Sequence, residues 1–273
     1  MMVNKRIITM QDLSCLGKCS LNVALPIFAV LGIEAIPLPT TVLSSHTAYK
    51  DYVKKDMSDI MKPFINHWKK ENIKVDGISI GYLASSNQVE DAILLINNYP
   101  EAIKLLDPCI ADNGKFYSGF DYSYADALKE LIYKVDIICP NITEACFILG
   151  KEYKEDFKEE EIKEILKALK ELGPKEVVLT SVKKEAKFGI AIIDSLNNIS
   201  FYFKDKIEGS YFGTGDVYSA TFFSYLIQGK DFKESAIKAV NYVYQVIKQT
   251  KESNGSRDIN LESSLCYLMD EGI

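Results

Sequence analysis

Short apolar runs and helical periodicities alternate along nearly the whole chain. Residues 6–13 (RIITMQDL) read as a buried strand, and residues 19–32 (CSLNVALPIFAVLG) as a helix with Gly32 where a C-terminal cap belongs. The pair recurs as EAIPLPTTVL before DMSDIMKPFINHWKKENI, VDGISIGYL before SNQVEDAILLINNY, AIKLLDPCI before YSYADALKELIYK, and VDIICPN before TEACFIL. Five βα units in succession predict a doubly wound α/β fold, a mostly parallel sheet with helices on both faces. After a charged helix over 157–173 the strands EVVLTSV, FGIAIIDS and ISFYFKDKI lie close enough together to pair antiparallel, so one edge is expected to be mixed. Two helices follow, 215–229 and 231–250, capped at Gly229 and Asp231; then come the polar break KESNGSRD and a short terminal helix. No stretch has the composition of a linker, and residues 1–273 are expected to form a single domain.

Composition narrows the partners. A chain of 273 residues with 47% hydrophobic content can bury a sizeable core. The net charge of −6 and interspersed basic residues leave no footprint for nucleic acid, which points to small molecules. There is no run of about 18 uncharged apolar residues and no signal-like N-terminus, so a soluble, cytoplasmic protein without membrane attachment is expected. Six cysteines (Cys15, Cys19, Cys109, Cys139, Cys146, Cys266) form no C-x-x-C pair and read as reduced thiols, mostly core fillers.

In open α/β sheets ligands bind beyond the carboxyl ends of the strands. The polar residues there are Asp12, Ser44 to Thr47, Gly81 and Tyr82, Asp107 to Asp112, Asn141 to Glu144, and Thr180 with Ser181, although caps and turns use the same residue types. The stretch YFGTGDVYSA (211–220) runs two glycines into the start of a helix. Its backbone can turn with φ > 0, approach a ligand closely and aim the N–H groups of residues 213–216 at an anion, reinforced by the helix dipole. Asp216 beside a bound phosphate needs a task. General base for a hydroxyl attacking a γ-phosphate fits; complementing the helix dipole is the alternative.

GTGD near the C-terminus, together with PNITEA (140–145), resembles the ribokinase-like superfamily of ATP-dependent small-molecule kinases. Within it, QDLSCLGKCSLNVALPIFAVLG, PTTVLSSHTAYKD, GYLAS, DPCIADNGKFY and LTSV are similar to the vitamin B6 branch, the pyridoxal and pyridoxamine kinases, from residue 6 to about 250. The resemblance implies a ribokinase-like fold without a β-lid domain, a homodimer, and transfer of phosphate from ATP, with Mg²⁺, to the 5′-hydroxymethyl group of pyridoxamine, pyridoxine or pyridoxal. It leaves assistance by K⁺ open. Carried over by residue, it makes Asp216 the base and lets Gly213, Thr214 and Gly215 hold the transferring phosphoryl group. Asp107, Asp112 and Glu144 become oxygen ligands of Mg²⁺, directly or through water, with Asn141 beside them. Thr180 and Ser181 would lie along the ATP phosphates, and Ser44, His46, Thr47 and Tyr82 would line the pyridine pocket. A buried imidazole bonded to backbone is the alternative for His46. The polar, glycine-broken segment 112–120 (DNGKFYSGF) reads as a loop that closes over the nucleotide, with Gly114 and Gly119 as hinges, Lys115 reaching the phosphates and Tyr117 covering them; a plain surface connection is the alternative.

The first loop departs from the pattern. Many pyridoxal kinases have serine where this chain has Asp12, and an Asp-Ser-Ser-like turn here is similar to the hydroxymethylpyrimidine kinases of thiamine synthesis; DLSCLG lies between the two. An acceptor-only carboxylate favours a protonated ring nitrogen or a cationic aminomethyl group over an aldehyde, which points to pyridoxamine and pyridoxine. At eight residues' distance, Asp12 is not expected to cap the helix that starts near Ser20; a turn role for DLS is the alternative. A B6-binding carrier or sensor is the non-enzymatic alternative, and it has no use for a base, an anion hole and acidic metal residues together.

Overall fold

A computed structural model of the chain describes residues 5–253 and 257–269. In chain order its elements are β1 (Arg6–Ser14), α1 (Leu21–Val30), β2 (Glu34–Leu43), β3 (Lys54–Asp56), α2 (Ser58–Lys70), β4 (Gly77–Ile80), α3 (Ser86–Asn98), β5 (Ile103–Leu106), β6 (Ala111–Asp112), β7 (Lys115–Phe116) and α4 (Tyr122–Ile132). They continue with β8 (Ile137–Ile138), α5 (Ile142–Ile148), α6 (Glu159–Glu171), β9 (Glu176–Lys184), β10 (Lys187–Ile193), β11 (Ile199–Asp205), α7 (Thr214–Ile227), α8 (Phe232–Glu252) and α9 (Cys266–Met269). All five expected βα pairs are present. The chain divides into two compact units, one made of residues up to Ala84 with those from Ile207 onward, the other of Ser85–Lys206.

In the first unit β1 pairs in parallel with β2 on one side and β4 on the other, and β3 adds an antiparallel edge to β2. The apolar run in β1 explains its central place: Ile7, Ile8 and Met10 are wholly buried. The β1–β2 register slips between Gln11 and Leu13, where Gln11 faces Pro39 but Leu13 faces Val42, so β2 carries one extra residue opposite Asp12. Bulges of this kind re-aim side chains beside functional sites. Helix α7 packs against α1, α8 and β4. The expected caps are in place: Asp231 accepts from the N–H groups of Lys233 (2.9 Å) and Glu234 (3.1 Å), and the N–H of Ile33 reaches back to Phe28 O (2.9 Å) around Gly32.

In the second unit β5, β8 and β9 run parallel, and β9–β10 and β10–β11 are antiparallel, which is the mixed edge read from the short spacing of those strands. Residues 111–116 are not a plain loop. They form a two-stranded hairpin turned by Asn113 (φ 49°) and Gly114 (φ 74°), the Asn-Gly pair that suits a tight hairpin turn. Phe116 fastens it, with ring centroids 4.3 Å from Phe147 and 5.1 Å from Tyr122, and Thr143 Oγ1 accepts from the N–H of Gly114 at 3.1 Å. The cysteines also differ from expectation. All six are free thiols, yet only Cys139, directly after β8, and Cys146, inside α5, are buried; Cys19 and Cys109 are half-buried and Cys15 and Cys266 exposed. Among the described residues no helix is long and apolar enough to cross a membrane.

Candidate active site

The first unit carries the glycine turn. Gly213 caps α7 with φ 88°, and a β-carbon there would stand 2.1 Å from Lys18 O, so backbone conformation and space both demand glycine. The helical ladder opens with Val217 N–H to Gly213 O at 2.9 Å. The N–H groups of Thr214 and Gly215 therefore stand ahead of the ladder at the positive end of a 14-residue helix, the arrangement that receives anions. Thr214 Oγ1 donates to Tyr211 O (3.3 Å), and Asp216 follows on the first turn, half-buried.

Asp12 lies at the carboxyl end of β1 and is 6% exposed. Its Oδ1 accepts from Ser20 Oγ and its Oδ2 from Ser14 Oγ at 2.8 Å. Residues 15–19 loop back to bring Ser20 to Asp12 side chain to side chain, and Ser20 spends its hydroxyl on Asp12 and not on capping α1. Ser20 holds φ 50°, ψ −125°, a strained backbone for a residue with a side chain. Burial raises the Asp12 carboxyl above its ordinary pKa, against the pull of the two serine hydroxyls and His46. Burial likewise pushes the Cys19 thiol up, and the carboxylates of Asp216, Asp12 and Asp258 add to it, so these four groups share one acidic neighbourhood.

The remaining first-unit candidates are more committed to the protein. Ser44 Oγ accepts from Val53 N–H at 2.9 Å, Thr47 is exposed, and the carbonyl of half-buried Tyr82 accepts from Thr40 Oγ1 at 2.9 Å. His46 is buried with Nε2 on Asp258 Oδ1 (2.8 Å) and Nδ1 accepting from Ala48 N–H (3.3 Å).

In the second unit Glu144 is buried on the first turn of α5, where Oε1 accepts from Ile110 N–H (2.9 Å) and Oε2 from Asn141 N–H (2.9 Å). Asn141 completes the capping box, accepting from the N–H groups of Thr143 and Glu144, while its Nδ2 donates to Ala111 O at 2.7 Å. Burial, then the neighbouring Asp107 carboxylate, raise Glu144. Cys109 Sγ donates to Asp107 at 3.4 Å, and Asp112 is exposed, bonded to Asn113 N–H and Nδ2 at 2.8 Å each. Lys115 is exposed; Tyr117 is 44% exposed, but its hydroxyl sits in crowded surroundings that raise its pKa, as do Glu144, Asp112 and Asp107. Thr180 N–H donates to Pro140 O (2.9 Å), and Ser181 holds φ 59° at a bulge where β9 opposes Leu179 to Ala191 but Val182 to Gly189. Among the described residues no group of three or more His, Cys, Asp or Glu is set to hold a metal ion. Ser14, Ser20, Cys19 and Asp258 were not singled out from the sequence; the DLS turn hinted at Ser14, and nothing local marked the others.

The model of the family described as phosphomethylpyrimidine kinase matches residues 25–259. The chain belongs to that family. A pyridoxal kinase from Dictyostelium discoideum is 26% identical over 282 residues, covering 94% of this chain and 90% of that protein. The crystal structure of a candidate phosphomethylpyrimidine kinase from Bacteroides thetaiotaomicron matches with a TM-score of 0.94 at 33% identity, over 97% of this chain and 94% of that one. A second crystal form of that description, with pyridoxal, matches at 0.91 and 31%, over 98% and 96%. A hydroxymethylpyrimidine/phosphomethylpyrimidine kinase from Aquifex aeolicus is 27% identical over 74% of this chain and 75% of that protein. The chain has the ribokinase-like α/β fold of the pyridoxal kinase relatives, with its mostly parallel sheet and antiparallel edge.

Asp12 makes a pH-dependent prediction. Because the folded-state pKa is raised, this group favours folding most below the ordinary carboxylate range, and the contribution is lost as pH rises through the folded pKa. Asp12→Asn removes that loss, so its melting temperature should exceed that of the wild type by a margin that grows from pH 4.5 to pH 7.5. A margin that stays constant or shrinks contradicts a carboxyl destabilised by burial.

Proposed function

We propose that this chain transfers the γ-phosphoryl group of ATP to the 5′-hydroxymethyl group of a vitamin B6 vitamer. The observation that carries the reading is Asp216 on the first turn of α7, directly after the Gly213 turn and its outward N–H groups. Asp216 takes the hydroxyl proton as the substrate oxygen attacks the γ-phosphorus; the bond to the β–γ bridging oxygen breaks, and ADP leaves. The N–H groups of Thr214 and Gly215 donate to the oxygens on which charge builds in the transferring group. One such donor stabilises a transition state by about 2.7–4 kcal/mol.

The acidic set of the second unit supports a role for Mg²⁺. In this reading Asp107 would hold Mg²⁺ and Glu144 and Asp112 would act only through water, because both Glu144 oxygens already accept from backbone N–H groups; the ion would supply charge neutralisation at the phosphates of ATP. Asn141 and Glu144 shape that corner through the capping box. Thr180 and Ser181, at the bulge of β9, are placed in this reading along the phosphates, with Lys115 and Tyr117 above them. In this reading, resting on the resemblance, Ser44, Thr47 and Tyr82 line the pyridine pocket, and His46 would offer it only a ring face, since both its nitrogens are engaged. The same reading, resting on the resemblance, makes residues 1–273 one kinase domain of a cytoplasmic homodimer.

Asp12 favours cationic vitamers: a buried carboxylate held by two hydroxyls gains most from a ligand that brings a positive charge. The second reading is a hydroxymethylpyrimidine kinase, favoured by the Asp-Leu-Ser turn and by the Aquifex relative.

Asp216→Asn should lower turnover by about 10²–10⁴ while leaving nucleotide affinity nearly intact, the scale of losing a general base. Near-normal turnover would make Asp216 a dipole partner of α7 and end this mechanism. Asp12→Ser should move the kcat/KM ratio from pyridoxamine toward pyridoxal; an unchanged ratio removes Asp12 from substrate selection.

A further inference from the structure

Asp258 ends the stretch read from the sequence as a polar break and lies 212 residues along the chain from His46. Both of its carboxylate oxygens are engaged. Oδ1 accepts from His46 Nε2 at 2.8 Å, and Oδ2 accepts from the Tyr49 hydroxyl at 3.2 Å. Since His46 Nδ1 accepts from Ala48 N–H, the proton of a neutral imidazole belongs on Nε2, and both ring nitrogens are spent inside the protein. His46 is wedged on its other sides too. Its ring centroid lies 5.0 Å from that of Phe212, and a β-carbon on Gly17 would stand 2.1 Å from His46 Cδ2.

Residues 257–262 brace the glycine turn from a second direction. Phe212 N–H donates to Arg257 O at 2.8 Å, Phe212 bridges to Asp258 in parallel fashion, and the Arg257 guanidinium lies 5.5 Å from the Phe212 ring centroid. Ile259 Cδ1 lies 3.2 Å from where a β-carbon of residue 213 would stand, and Lys18, whose carbonyl packs on Gly213, pairs through its ammonium with Glu262. Ile259 and Leu261 are 2% exposed and anchor the segment. Phe212 directly precedes Gly213, so what holds Phe212 aims the turn.

We infer that Asp258 is a positioning residue: through His46 and Phe212 it fixes the backbone of residues 211–216, and with it the anion-binding turn and Asp216, without touching substrate. The inference rests on the kinase reading for its consequence in catalysis, but the geometry it invokes is independent of substrate. Asparagine keeps the geometry, because its Oδ1 accepts from His46 Nε2 and its amide faces a tyrosine hydroxyl that accepts. Alanine does not.

The test compares Asp258→Ala, Asp258→Asn, His46→Ala and the double alanine variant by steady-state kinetics and by hydrogen exchange of the amides of residues 213–217. Misplacement of a catalytic group by about 1 Å costs on the order of 10²-fold, so Asp258→Ala should lose about 10- to 100-fold in kcat with KM for ATP within about threefold of the wild type. Asp258→Asn should recover kcat to within about threefold, and the double variant should be no worse than the worse single one, as for residues acting as a unit. Equal losses in kcat and ATP affinity, additive losses, or no rescue by asparagine overturn the inference. If Asp258→Ala does not fold, Tyr49→Phe, which removes only the Oδ2 bond, must lower kcat in the same sense; an unchanged kcat overturns the inference. A wild-type protein that phosphorylates no B6 vitamer ends the kinase reading alone. Exchange then decides: faster in Asp258→Ala and normal in Asp258→Asn supports positioning, and unchanged exchange in both refutes it.

Discussion

The carbonyl of Lys18 presses on residue 213 so closely that no side chain fits there, and the left-handed turn this imposes sets the start of α7. From that contact follow the direction of the N–H groups of Thr214 and Gly215 and the place of Asp216 one step inside the helix. It also ties two distant stretches together. The loop after β1, which holds Asp12 through Ser14 and Ser20, supplies the carbonyl that shapes the turn before α7. Substrate selection and phosphoryl binding, in the proposed reading, thus share one piece of backbone, and a change at residue 18 or 213 disturbs both.

Several features of the site cost stability. Asp12 and Glu144 are carboxylates raised by burial, Ser20 and Ser181 hold backbone angles that side chains disfavour, and Cys19 sits among three carboxylates. Strain and uncompensated charge of this kind persist where the surrounding structure over-determines them, and they gather at functional sites. The first unit holds the glycine turn, Asp216, Asp12 and His46; the second holds the acidic pair Asp107 and Glu144 and the strained end of β9. Each unit therefore has its own set of costly residues.

What was legible in the sequence was what is local. Strand and helix periods, the caps at Gly32 and Asp231, the antiparallel edge and the glycine run before Asp216 all rest on neighbours within a few residues, and all were readable. The hairpin at 111–116 escaped because strands of two residues show no alternation, although Asn113-Gly114 is a hairpin signal by itself. The strand Lys54–Asp56 is wholly exposed and carries no apolar pattern. The links of Asp12 to Ser20 and of His46 to Asp258 depend on loops returning in space, which spacing along the chain does not encode. An apolar neighbourhood in sequence likewise need not be one in space, as the exposed Cys15 and Cys266 show.

The most direct measurement is ADP release by the purified wild-type protein with Mg²⁺ and ATP, taken side by side for pyridoxamine, pyridoxine, pyridoxal and hydroxymethylpyrimidine, with the phosphorylated product identified by mass. The account predicts 5′-phosphorylated B6 vitamers, with kcat/KM highest for pyridoxamine or pyridoxine. Phosphorylation of hydroxymethylpyrimidine alone, or of none of the four, contradicts it.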